Sequence, residues 1–529
     1  MNLAAQIALA TRQFPDRIAL SDAESSLTYS VLEQRAGAIA AHLLDAGLTP
    51  GDRVAAFLPN SADYVVLLYA VLRAGGIFVP LNYRFAEREL QSALHDSGSR
   101  FLAVEERDLE RALPALSGTD VRHLLVRSAG AVSLPHPGQL GVSLLSDIYR
   151  DGARWDAKIA PRRDDDDALL MYTSGTTGRP KGVRQTHRNN TASVDMVMSA
   201  WQLSAEDRLL QALPLFHVGG LQCSTLPALA VGARTHFLIR WDAGAWLAAL
   251  DALRPTFSGL VTTMLIDVLS RLEGGVRPEL PASLRFCVFG GSATPAHVPR
   301  RFEELLGVPL VELYGQTETT GLITTYDVGE RRVPGSMGRL RTEVADAMLL
   351  APDGAEVPLQ EGATGEIAFA GDTVTAGYWQ REAETESRRH GRFLRTGDVV
   401  RIGADGYLHY LDRADNMIVT GGENVYPAEV EAVLARHPKV AEVAVIGAPH
   451  ERLVQQVTAI VVPLDDSVRV EDILSFVGAD PSLAPYKRPR RIEFATALPK
   501  TGSGKIDRSR LKATYAPPQT PAGDEPAGA

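Results

Sequence analysis

Short runs of apolar residues alternate with longer stretches in which apolar side chains return every three or four positions. Leu32, Ala36, Ile39, Ala40, Leu43 and Leu44 recur at helical spacing, and Ser30 with Glu33 matches a capping box at the helix start. The short runs read VAAFLP (54–59), IFVPL (77–81), ALLMY (168–172), LRFCVFG (284–290) and VPLVELYG (308–315). They are apolar at consecutive positions, as strands buried on both faces are. With helices between them they predict a parallel sheet joined by crossovers. Glycine-rich turns follow several of these runs, at the strand ends where open α/β sheets bind ligands.

From Gly397 the texture changes. Asp405-Gly406 between alternating runs predicts a hairpin. Next come a strand around Met417 to Val419, a helix opening at Pro427, strands at 440–446 and 457–462, a helix near Asp472 and a strand at 491–494. That is enough chain for a small α+β domain. The charged stretch 412–416 reads as its boundary, and the Pro/Ala/Gly-rich residues 515–529 as a disordered tail.

A length of 529 residues calls for more than one core. Lys and Arg number 54 against 64 Asp and Glu, a net charge of −10, which argues against nucleic acid as the main partner. The two cysteines, Cys223 and Cys287, stand far apart without CxxC spacing. Neither a disulfide framework nor a zinc site is expected. The first residues lack the pattern of a secretory leader. The most apolar stretch, YVVLLYAVLRAGGIFVP, is short for a membrane span and is interrupted by Arg73 and Gly75-Gly76. A soluble, cytoplasmic protein is expected.

One stretch carries chemistry on its face: YTSGTTGRPKG, Tyr172 to Gly182. Backbone amides of glycine-rich turns and Ser/Thr hydroxyls can ring a phosphate, and Lys181 adds a point charge. The spacing is not that of a Walker loop. GSGK (502–505) fails the same test, because Pro499 stands at the upstream glycine position and Ile506 at the hydroxyl position. A polar surface loop is the alternative reading of the stretch.

This loop resembles the phosphate loop of the adenylate-forming superfamily, and further stretches match that family in order: LRAGGIFVPLN (72–82), YGQTE (314–318), GYW (377–379), RTGD (395–398), RADNMIVTGGENVYPAEVE (413–431) and PKTGSGKIDR (499–508). The resemblance covers nearly the whole chain. It implies a large N-terminal multi-sheet α/β domain (1–411), a hinge (412–416) that turns on Asp415, and a small mobile α+β domain (417–514). It also implies an ATP-dependent acyl-CoA ligase that joins a carboxylic acid to AMP, releases pyrophosphate, and passes the acyl group to CoA.

By the same resemblance Thr173, Ser174, Gly175, Thr176, Thr177 and Lys181 surround the ATP phosphates, Gly291, Ser292 and Ala293 meet the adenine, and Tyr314, Gly315 and Thr317 line the nucleotide site. Glu318 and Thr173 hold Mg²⁺, Asp398 and Arg413 bind the ribose, and Lys505 is the cation of the adenylation step. Gly421 and Gly422 admit the pantetheine arm, and Tyr486, Arg488 and Arg490 take the CoA nucleotide. His217, Thr263, Gly315 and Leu322 line the acyl pocket, with His217 as a gate between the half-reactions. Each has a plainer alternative: Glu318 a surface acid, Asp398 a turn residue beside Gly397, His217 a core histidine, Gly421-Gly422 a loop pair, and YKRPRR (486–491) a solvated basic face.

One departure stands out. Where relatives commonly carry an aromatic-glycine pair near CoA, this chain has Leu453-Val454. The residues around the acyl pocket are small and apolar, and Arg285, the nearest basic candidate, reads as structural. The acid is therefore expected to be aromatic or a medium-chain fatty acid. A carrier-protein thiol is the alternative acceptor, a non-catalytic nucleotide binder the third reading, and self-association into a homodimer is left open.

Overall fold

The computed structural model describes residues 2–128, 140–151, 158–173, 180–276, 282–292, 294, 297–421, 423–465, 467–480, 483–500 and 506–516. These form two units, residues 1–347 with 368–394, and 348–367 with 395–529. The expected 412–416 boundary falls inside the second unit.

The first unit is built on two sheets. One has nine strands in the order Arg339–Leu340, Gly321–Thr325, Leu310–Gln316, Phe286–Gly290, Phe257–Val261, Arg208–Gln211, Arg234–Phe237, Ile18–Ser21, Ser26–Thr28. The pairs from Leu310–Gln316 through to Ile18–Ser21 are parallel; Gly321–Thr325 runs antiparallel to both of its neighbours, and Ser26–Thr28 runs antiparallel to Ile18–Ser21. The other has eight, ordered Gly377–Tyr378, Lys181–Thr186, Asp167–Thr173, Ile77–Pro80, Arg53–Phe57, Phe101–Glu105, His123–Arg127, Gly141–Leu144. It is parallel up to Asp167–Thr173, which turns back antiparallel into Lys181–Thr186. The continuous apolar runs are thus the central parallel strands, as their pattern predicts. One core joins residues of both sheets, Leu20 and Phe237 with Phe78 and Phe101, through helices that include Tyr29–Asp45 and Ala62–Arg73. Further helices cover the outer faces.

The helix Tyr29–Asp45 does not start at a Ser30–Glu33 box. Its cap is Thr28, whose hydroxyl accepts from the Val31 N–H at 3.3 Å. Glu33 turns inward instead and meets Arg73, the Tyr69 hydroxyl at 2.6 Å and the Thr11 hydroxyl at 3.2 Å. A buried arginine needs a carboxylate more than a helix end needs a second cap, so the ion pair decides where Glu33 points.

The second unit contains the expected hairpin, Phe393–Ile402 against Leu408–Arg413, turned at Ala404–Gly406. Beyond it, Val440–His450 and Val454–Pro463 form a long antiparallel pair. Ile418–Thr420 and Arg491–Phe494 pair with the second of these, and Pro427–Leu434 and Val470–Ala479 pack over the sheet. Among the described residues no helix is long and apolar enough to cross a membrane.

Candidate active site

The strand Asp167–Thr173 and its return strand Lys181–Thr186 bracket the glycine-rich loop and put Thr173 opposite Lys181. Ser174, Gly175, Thr176 and Thr177 lie outside the described residues. Lys181 is half-buried; its Nζ lies 2.6 Å from a Glu384 carboxylate oxygen and 4.3 Å from the centre of the Tyr378 ring. The Thr173 hydroxyl is buried and has no hydrogen-bond partner among the described residues. An orphan of that kind costs about 1–3 kcal/mol unless a bound group satisfies it.

The run YGQTE ends the strand Leu310–Gln316 and enters a short turn, Thr317–Thr319. Gly315 is required there, because a β-carbon would overlap the Gly321 carbonyl on the neighbouring strand. Glu318 is buried rather than solvated, 8% exposed. It accepts the Tyr378 hydroxyl at 2.8 Å, and its own carbonyl accepts the Thr375 N–H at 2.8 Å. Gln185, buried on the return strand, donates to the Thr317 carbonyl at 2.9 Å. Among the described residues no group of three or more His, Cys, Asp or Glu could hold an ion. A single buried carboxylate with a nearby hydroxyl suits a Mg²⁺ that draws its other ligands from phosphate and water.

Gly291 and Ser292 follow the strand Phe286–Gly290, and both are exposed; Ala293 is outside the described residues. Thr262 is buried and bridges to the Ser292 hydroxyl at 2.9 Å and the Thr294 hydroxyl at 2.6 Å. Its neighbour Thr263 faces solvent. Leu322 is fully buried and register-paired with Gly315. His217 is exposed, which removes the core-histidine reading, and its ring lies 4.5 Å from that of Phe216, which in turn meets Tyr83 edge-on at 5.7 Å. Arg285 is held 3.0 Å from Asp207. Burial of Cys223 and Cys287 pushes both thiols up to about 12.

In the second unit Asp398 sits within the strand Phe393–Ile402, 4% exposed, so it is no turn residue. Arg413 Nη1 donates to its carboxylate at 2.9 Å and to the Thr396 carbonyl at 2.8 Å. Asp415 is exposed, 3.5 Å from Arg413 Nε. Gly421 turns at φ +61°, its N–H on the Leu453 carbonyl at 3.0 Å, and Val454 beside it holds φ +70° while 70% exposed. Tyr486 and Arg490 are exposed; Arg488 is half-buried, and its Nε has no partner among the described residues. Lys505 and Gly422 lie outside the described residues.

The motifs left two residues unassigned. Tyr378 stands in the quoted GYW without a role, and Glu384 in the following helix carries no local signal, since only the fold brings it to Lys181.

Residues 7–379 match the model of the AMP-binding enzyme family, and 429–505 that of the AMP-binding enzyme C-terminal domain. A feruloyl-CoA synthase of Amycolatopsis sp is 37% identical over 95% of this chain and 97% of its own. ATP-bound MatB from Rhodopseudomonas palustris superposes with a TM-score of 0.84 at 32% identity, over 98% of this chain and 99% of its own. The anthranilate CoA ligase AuaEII, solved with anthranoyl-AMP, gives 0.85 at 26% identity over 97% of each chain.

Proposed function

The chain belongs to the AMP-binding enzyme family and is an AMP-forming acyl-CoA ligase using ATP and CoA, and from that premise we propose which residues carry each half-reaction and which acid it takes. In the first half-reaction a carboxylate oxygen bonds to the α-phosphorus of ATP, and the bond to pyrophosphate breaks. In the second the thiol sulfur of CoA attacks the acyl carbonyl. AMP leaves with the electrons of the C–O bond, and the thiol proton passes to solvent.

Two anions must meet in the first step, so fixed cations are needed where charge builds up. Lys181 meets the phosphates together with the loop from Thr173 to Thr177, and Lys505 brings a cation to the approaching carboxylate. Glu318 and Thr173 would hold Mg²⁺, which offsets charge on the triphosphate when bound. Asp398 takes the ribose hydroxyls and Arg413 orients it, a charge-assisted arrangement suited to a diol. Tyr314, Gly315, Thr317 and the strand end at Gly291 to Ala293 frame the nucleotide. For the second step Gly421 and Gly422 let the pantetheine arm approach backbone, and Arg488, whose Nε has no partner among the described residues, suits the CoA nucleotide with Arg490 and Tyr486.

The acid is aromatic, with a medium-chain fatty acid second. His217 on Phe216, the Gly315–Leu322 pair and Thr263 shape its site, and Arg285, spoken for by Asp207, offers no cation to a second carboxylate. The relatives acting on feruloyl and anthraniloyl groups support the aromatic reading. What carries the adenylation assignment is the buried Glu318 tied to the same tyrosine ring that lies under Lys181. A panel of acids read by pyrophosphate release, with and without CoA, tests it. Benzoic and phenylpropenoic acids should head the panel and yield thioesters with CoA. Preference for short dicarboxylic or sulfonated acids would overturn the choice of acid.

A further inference from the structure

Lys181 stands on a strand of one sheet and Glu318 in the turn that follows a strand of the other; Gln185, on the strand of Lys181, ties the backbone beside Glu318 by donating to the Thr317 carbonyl at 2.9 Å. A third segment ties the two side chains. Gly377 and Tyr378 pair antiparallel with Arg184 and Val183, and the Trp379 N–H donates to the Gly182 carbonyl at 2.8 Å, so the segment runs along the strand that bears Lys181. At its start the Thr375 N–H holds the Glu318 carbonyl at 2.8 Å. At its far end Glu384 lies 2.6 Å from Lys181 Nζ, and the Thr385 hydroxyl accepts the Tyr378 N–H at 3.0 Å. Tyr378 is buried and has two polar duties: its ring lies under the ammonium, and its hydroxyl donates to Glu318 Oε1.

We propose that Tyr378 is a positioning residue that couples the two: its hydroxyl, on Oε1, fixes the orientation in which the Glu318 carboxylate would hold Mg²⁺, while its ring and Glu384 fix the Lys181 ammonium that would meet the phosphates. The inference rests on the roles given above to Lys181 and Glu318. A carboxylate whose orientation is set by a neighbouring donor binds metal more tightly than one free to rotate, and losing such a donor typically costs about 10–100-fold in metal affinity. The ring acts separately, through cation–π attraction.

The two duties separate by substitution. Binding of ATP to the full-length protein is measured by calorimetry without acid or CoA, in EDTA and across a Mg²⁺ series. Tyr378→Phe keeps the ring and loses the hydroxyl. It should leave binding in EDTA near that of the wild type and raise the Mg²⁺ concentration for half-maximal enhancement about tenfold or more. Tyr378→Leu should weaken binding in EDTA as well. Glu318→Gln should remove the Mg²⁺ enhancement, and if it does not, the metal assignment itself fails. If Glu318→Gln loses the enhancement while Tyr378→Phe keeps the wild-type Mg²⁺ response, the coupling is refuted and the metal assignment survives. Should Tyr378→Leu fail to fold, the phenylalanine variant decides alone, because it changes one buried oxygen.

Discussion

At the scale of single residues, burial sets the chemistry of groups outside the site as firmly as those within it. His187 opens the helix His187–Ala200, is 1% exposed, and accepts the Leu3 N–H on Nδ1 at 3.2 Å. Burial first, and then the Arg162 charge, lower its imidazole from 6.5 to about 4. Between those values the unfolded chain takes up a proton that the folded chain refuses. Its contribution to stability is therefore complete above pH 6.5 and shrinks as the pH falls toward 4, by up to ~3 kcal/mol. His187→Gln should flatten that slope, so the thermal midpoint drops less between pH 7 and 4.5 than in the wild type; equal drops would assign the titration elsewhere. Such effects were hidden in the sequence. Nothing local to HRNN distinguishes a buried imidazole from a surface one. Glu33 was misread for the same reason: its spacing from Ser30 is visible along the chain, whereas Arg73, forty positions on, is not.

At the scale of elements, legibility followed periodicity. The apolar runs at 54–59, 77–81, 168–172, 284–290 and 308–315 became central strands, and the strand at 491–494 fell where it was expected. Fully buried parallel strands need apolar residues at every position, and few other elements tolerate them. The turn at Val454 shows a different kind of legibility. The family resemblance leads to glycine there, whereas this chain places a β-branched residue at φ +70°. A side chain in that conformation costs about 1–3 kcal/mol, and with 70% of Val454 exposed little burial offsets it. Val454→Gly should therefore raise stability by about 1 kcal/mol after the ~0.5–1 kcal/mol entropic cost of glycine, seen as a higher urea midpoint. A lower midpoint would mean that the valine side chain contributes packing that outweighs its strain.

At the scale of the whole molecule, the two half-reactions make opposite demands, and the motifs that answer them lie apart in the sequence. The first needs positive charge at a carboxylate and a phosphate, which Lys505 is assigned to supply. The second needs room for a thin thiol arm, which Gly421, a residue without a side chain in a left-handed turn, is assigned to give. The family membership was legible in the ordered motifs; the division between Lys505 and Gly421 is what the resemblance implies. The acid is far less legible, since the residues proposed for its site are single positions on separate strands and turns. Lys505→Ala should reduce acid-dependent pyrophosphate exchange by about 10²–10³-fold, the usual worth of one positioned electrostatic donor, and spare thioester formation from a supplied acyl adenylate. Gly421→Leu should do the reverse, because a branched side chain at φ +61° both strains the turn and fills the path. Measured side by side with a common acyl adenylate, the two variants should cross over. Parallel losses in both assays would mean that one set of residues serves both steps, and the assignment of separate roles would fall.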